Sequence, residues 1–108
     1  MINITFEYAE KRIAKVTVEG HAGYGDSGED IVCAGISILT ISILNGLSEI
    51  VGITDLNREV KEGYTSFEIP EITDPIQRIK ADALMDTFHL GIGATAAAYG
   101  DYIQMIEK

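Results

Sequence analysis

The stretch GHAGYGDSGEDIVCAG, residues 20–35, brings together His21, the chain's only cysteine (Cys33) and a run of glycines. A cysteine attacks as its thiolate. That form is favoured near a helix N-terminus, where free N–H groups and the macrodipole stabilise negative charge, and beside a histidine able to take the proton. Cys33 meets the first condition if Ser27 or Asp30 caps a following helix, because it then lies in the first two turns. Asp30, Cys33 and Ser37 are spaced i, i+3, i+7, which places them on one face of that helix. His21 can reach this face across the glycine loop. The residue types therefore define a candidate Cys33/His21 dyad with Asp30 and Ser37 beside it, suited to nucleophilic attack on a carbonyl. Each residue also has a plainer reading: Cys33 as a small packing residue, Asp30 as an N-cap rather than the group orienting His21, Ser37 as a hydroxyl bonded back to its own helix.

Gly23, Gly25 and Gly28 also spell G-x-G-x-x-G, the letters of a dinucleotide-binding turn. Such a turn needs a parallel βαβ unit and an acidic residue about 20 positions on, at the end of the next strand. Here Asp26, Glu29 and Asp30 crowd the place a pyrophosphate would occupy, and Glu49 falls inside a predicted helix. No Lys-Ser/Thr pair follows, which also excludes a P-loop. The glycines are read instead as conformational freedom in a substrate loop of Gly23, Tyr24, Gly25 and Gly28 that can close over a ligand. Tyr24 either contacts substrate or packs back on the domain. No metal and no cofactor are expected: zinc usually takes three or four protein ligands, His21 and Cys33 supply two, and His89 lies in a different helix as a surface or packing residue.

The elements that must position these groups follow from the apolar pattern. Ile2, Ile4, Phe6 and Tyr8 alternate, and after the polar AEKR turn Ile13 to Glu19 does the same, predicting a hairpin that ends at Gly20 and His21. From Asp30 to Val51 the spacing is helical and apolar nearly all round, so this helix wants cover on more than one side. Ile53 to Val60 and Tyr64 to Ile69 flank KEGY, where Gly63 can supply positive φ, and form a second hairpin. Pro70 closes it. Thr73 or Asp74 caps a second helix with Pro75 in its first turn, and GIGATAAA lets that helix approach its neighbour closely. Gly100 stops it, and DYIQMIEK is either a short strand or a frayed tail. The order β-β-α-β-β-α predicts one α+β domain over residues 1–108, a two-layer fold with a mainly antiparallel sheet and both helices on one face.

Seventeen acidic residues against eight basic ones leave a formal net charge of −9. That balance argues against a surface for nucleic acid, which draws on clustered Lys and Arg, and suits a basic protein or peptide. No secretory leader opens the chain, the apolar run Ile31 to Leu44 falls short of the ~20 residues of a spanning helix, and a lone cysteine fits a reducing compartment. A cytoplasmic protein with no membrane contact is expected.

With these residues in place, GHAGYGDSGEDIVCAGIS resembles the Prp family, the ribosomal-processing cysteine proteases. The family pattern is Gly-His-Ala, a variable glycine-containing loop, Gly-x-Asp-Ile-Val-Cys-Ala and a Ser four residues past the Cys. It is matched at Gly20, His21, Ala22, Gly28, Asp30, Ile31, Val32, Cys33, Ala34 and Ser37. Gly35 departs from a usual alanine and Gly100 from a frequent proline; neither touches the dyad. The resemblance implies Cys33 as nucleophile, His21 as its base and Asp30 and Ser37 as supporting residues. It also implies a homodimer with the first helix at its interface, and as substrate the N-terminal extension of large-subunit ribosomal protein twenty-seven. Backbone N–H groups at the helix start are the expected oxyanion donors. The competing expectation is a non-catalytic dimeric adaptor that binds a basic ribosomal protein.

Overall fold

In a computed structural model of the chain, residues 1–26 and 29–108 are described. The sheet order is β3-β4-β2-β1-β5. β1 (Ile2–Ala9) and β2 (Arg12–Gly20) form the first hairpin. Along β1, Ile2, Ile4 and Phe6 turn inward and are buried, while their neighbours do not. Complete burial of a ring such as Phe6 contributes about 1.5–3 kcal/mol relative to exposure, and Phe6 meets Phe88 with ring centroids 5.9 Å apart.

β3 (Asn57–Lys61) and β4 (Tyr64–Glu68) make the second hairpin, and β4 pairs antiparallel with β2. The expected start of β3 at Ile53 is corrected to Asn57. Ile53 is buried and donates its N–H to the carbonyl of Leu47, so it closes the preceding helix instead of entering the sheet.

The first helix follows its apolar pattern, with one change of pitch. α1 (Ile31–Gly46) passes directly into a π-helical segment, Leu47–Val51, ended by Gly52 at φ 83°. The wider turn brings Leu47 and Val51 into the core together with Ile53. The continuous helical run Ile31–Val51 has 21 residues and is long and apolar enough to cross a membrane, longer than the run from Ile31 to Leu44 suggested. Val32, Ile36, Ile43 and Leu44 are nevertheless buried against the rest of the domain, as in a core helix.

Asp74 caps α2 (Pro75–Ala98) by accepting the Gln77 N–H, with Pro75 in the first turn. The small residues work as expected: a Cβ on Gly91 would lie 3.5 Å from Leu39 of α1, and one on Gly46 would lie 3.1 Å from Leu84 of α2. α2 ends two residues before Gly100, with Tyr99 as its C-cap. The C-terminal segment is a strand, β5 (Ile103–Glu107), parallel to β1. The sheet is therefore mixed, with four strands in antiparallel hairpins and one returning from α2. His89 packs edge-on against Phe6 and pairs with Glu107, which also accepts from Tyr8. That pairing, with the hydrogen bond from His89 as the leading cause, holds the Glu107 carboxyl below its ordinary range. His89 is thus a packing residue that ties β5 to α2.

Candidate active site

β2 ends at Gly20, and only glycine fits there: φ is 95°, and a Cβ would collide with the Met1 carbonyl oxygen. The strand end is held from two sides. Gly20 donates its N–H to the carbonyl of Gly63 at 2.9 Å, and the Met1 amino group donates to the carbonyl of His21 at 2.6 Å. His21 is thereby delivered to the rim of α1. The next residue, Ala22, is buried and its N–H donates to the Sγ of Cys33 at 3.3 Å.

Two adjoining cavities meet at this point. The first, of 290 Å³, runs between α1 and the β3–β4 hairpin; His21, Cys33 and Ser37 line it together with apolar Ile36, Ile41 and Leu44. The second, of 490 Å³, is lined by His21, Cys33 and Ser37 again and by Gly23, Gly25, Asp30 and Glu62. The histidine and the cysteine thus share one cleft, with an amide donor on the sulfur. Cys33 is partly accessible rather than buried and inert.

Asp30 caps the helix. Its Oδ1 accepts the N–H groups of Val32 and Cys33, each at 3.0 Å, and its Oδ2 accepts those of Tyr24 at 3.0 Å and Gly25 at 3.4 Å. The alternative of orienting His21 gives way to this role, which ties the glycine loop to the turn that carries Cys33. It also explains why the glycine pattern is no phosphate cradle: the chain's own carboxylate already occupies the loop and helix N–H groups that a phosphate would need. The N–H groups of Val32 and Cys33 are therefore engaged by the cap. The donor beside the sulfur comes from Ala22 instead.

The amide bond from Cys33 is the leading influence holding the Asp30 carboxyl below its ordinary range; desolvation, next in size, opposes it, and the amide bonds from Tyr24 and Gly25 lower it further. A depressed folded-state pKa means that the stabilisation is complete above the unfolded value, about 3.9, and is lost as pH falls through the folded value. Asp30→Asn should therefore lower the melting temperature by a constant amount above about pH 5, and the gap to wild type should narrow below about pH 4. Thermal melts of both proteins across pH 3 to 8 check this; a gap unchanged at the acid end contradicts it.

The remaining loop residues divide. Gly23 and Gly25 line the second cavity. Tyr24 instead packs edge-on against Tyr99 and Tyr102, at 5.8 and 5.1 Å between centroids, so it folds back on the domain. Gly28 and the alternative cap Ser27 lie outside the described residues. The sequence reading missed the second wall of the cleft, the tip of the β3–β4 hairpin, where Lys61 to Tyr64 line the first cavity. KEGY signalled a turn, but only the pairing of Glu19 with Tyr64 carries that turn to the end of β2.

The family whose description is cysteine protease Prp matches residues 1–104. The ribosomal processing cysteine protease Prp of Bacillus subtilis is 30% identical over 98 residues, covering 89% of this chain and 87% of its own. The structure of SMU.848 from Streptococcus mutans superposes with a TM-score of 0.81 at 30% identity, over 99% of this chain and 93% of that one. The S. aureus ribosomal processing protease Prp, solved with a covalently linked product peptide, has the same fold at a TM-score of 0.81 and 22% identity, over the whole of both chains. The fold, the cleft and these matches define a cysteine protease. The chain belongs to the cysteine protease Prp family.

Proposed function

We propose that this protease removes the N-terminal extension of large-subunit ribosomal protein twenty-seven, with Cys33 as nucleophile and His21 as general base. The observation that carries the reading is the shared cleft: Cys33 and His21 line the same two cavities, and the Ala22 N–H rests on Sγ.

His21 takes the proton from Sγ, and the sulfur attacks the scissile carbonyl carbon. The Ala22 N–H, already facing the sulfur, supports the thiolate and then the negative charge that moves to the carbonyl oxygen. As the tetrahedral centre collapses, the C–N bond breaks and His21 returns the proton to the leaving amine. A thioester remains on Cys33. His21 then deprotonates a water, which attacks that carbonyl; the carboxylate leaves and the thiol is restored. Ser37, on the helix face between the cavities, borders the bound peptide.

An extended peptide fits the trough between α1 and the β3–β4 hairpin, and the net charge of −9 favours a basic ribosomal protein over nucleic acid. A lone thiol fits a reducing compartment, which supports a cytoplasmic location for the reaction. To test the function, full-length substrate is incubated with the protease and its N-terminus is read by mass spectrometry. Loss of the extension is expected; binding without cleavage would favour the adaptor.

The working unit we propose is a homodimer built on α1. Its outward face exposes Ile31 and Ile38, each more than half accessible, and such a stripe gains by burial against a second copy. Ile38→Glu should convert the dimer to monomer in sedimentation without lowering the melting temperature of the domain. A variant that still sediments as the wild type contradicts the interface.

A further inference from the structure

The imidazole of His21 is exposed to solvent on its strand end, yet a general base must be held within reach of its partner to be effective. The backbone of Gly63, at the tip of the β3–β4 hairpin, lies beside it. A Cβ placed on Gly63 would lie 3.0 Å from Nε2 of His21 and 3.5 Å from its Cε1. That is closer than a side chain and a ring can rest without one of them moving. The contact is built in from both sides. The carbonyl of Gly63 takes the Gly20 N–H at 2.9 Å, and β4 and β2 pair in register from Glu19 and Tyr64 onward. Gly63 sits at φ 70°, a conformation that side chains rarely adopt.

We infer that Gly63 is a positioning residue for catalysis: its bare Cα is the wall against which the His21 imidazole is set. This rests on the reading of His21 as the base. The glycine is then required for two separable reasons, the turn conformation and the space for the ring. Gly52 separates them. It has φ 83°, and a Cβ there would meet only the Gln77 side chain at an ordinary 3.7 Å, far from the cleft. Gly52→Ala therefore carries a similar backbone penalty and no encroachment on His21.

The experiment compares Gly63→Ala with Gly52→Ala, alone and in a His21→Ala background, reading melting temperature, kcat and KM for the extension peptide. The expected result is a similar loss of melting temperature in both. Only Gly63→Ala should lower kcat, by about tenfold to a hundredfold, the scale at which a misplaced catalytic group is felt, with KM within about threefold. In the His21→Ala background the same substitution should cause no further loss, because the group it displaces is gone. An equal effect on kcat in both backgrounds, or a kcat no lower than that of Gly52→Ala, overturns the inference. Should Gly63→Ala not fold, the wild-type protein decides: NMR cross-relaxation between the His21 ring protons and the Gly63 α-protons is expected, and its absence overturns the contact. A His21→Ala enzyme that cleaves at the wild-type rate removes the base assignment and this inference with it. A required His21 with an indifferent Gly63 removes this inference alone.

Discussion

Cys33→Ala should abolish cleavage of the ribosomal extension, lowering kcat by on the order of 10⁴-fold or more, as removal of a nucleophile does elsewhere, while leaving the extension peptide bound. The reason is geometric. Cys33 is set by its own helix start: Asp30 accepts the Cys33 and Val32 N–H groups and fixes the first turn of α1, and Ala22 donates to the sulfur from the opposite side. The cap does not need the thiol, so removing Sγ takes away the attacking atom and the acceptor of the Ala22 N–H while the helix start stays in place. The apolar wall of the trough, Ile36, Ile41 and Leu44, is untouched. Binding by fluorescence anisotropy and cleavage by chromatography of the same peptide separate the two effects. Loss of both together would mean that Cys33 serves the structure of the cleft rather than the reaction.

His21→Ala should cost about 10²–10⁴-fold in kcat, the range for loss of a positioned general base, with a smaller effect on KM. The backbone around His21 is anchored independently of its ring. The Met1 amino group holds its carbonyl, and the Gly20 N–H is bonded to Gly63. The variant should therefore keep the wild-type melting temperature, and the Ala22 N–H should stay on the sulfur. A His21→Asn variant, similar in size but unable to carry the proton, should be as slow as alanine. Recovery of activity in His21→Asn would make the residue a spacer and not a base. Stopped assays over a pH series with each variant, alongside melts, measure this.

Local signals in the sequence were read well where the physics is local. Asp30 and Asp74 as caps, Pro75 in the first turn of α2 and the alternation of Ile2, Ile4 and Phe6 each depend on neighbours a few residues away, and each is found in place. That His21, Cys33 and Ser37 line one cleft was legible because the cap, the cysteine and the serine share a helical spacing, and because one short loop joins them to His21. What escaped depends on distant parts of the chain. β5 becomes a strand through its parallel pairing with β1, which no local pattern in DYIQMIEK demands. Ile53 continues an apolar alternation, yet the π-helical turn before it draws it out of the sheet and into the core. The hairpin tip reaches His21 only because β4 lies beside β2, a pairing decided by the sheet order.

The glycines between His21 and Cys33 illustrate the same division. Their charges alone excluded a phosphate, since three carboxylates share the loop and its end. The mechanism of that exclusion is visible only in the fold: Asp30 fills the amide nest itself, holding Tyr24 and Gly25 to the helix that presents Cys33. The Val32 and Cys33 N–H groups are taken up by that cap, and the amide on the sulfur is that of buried Ala22, which no spacing rule would single out.

The central claim is that the acyl group of the cleaved extension passes through Cys33. Rapid-quench mass spectrometry of the protease mixed with excess substrate tests it most directly. The account predicts a transient adduct with the mass of the released extension less one water, carried on the peptide that contains Cys33, lost on treatment with hydroxylamine and missing from Cys33→Ala. Turnover accompanied by an adduct on another residue, or wild-type cleavage by Cys33→Ala, would contradict it.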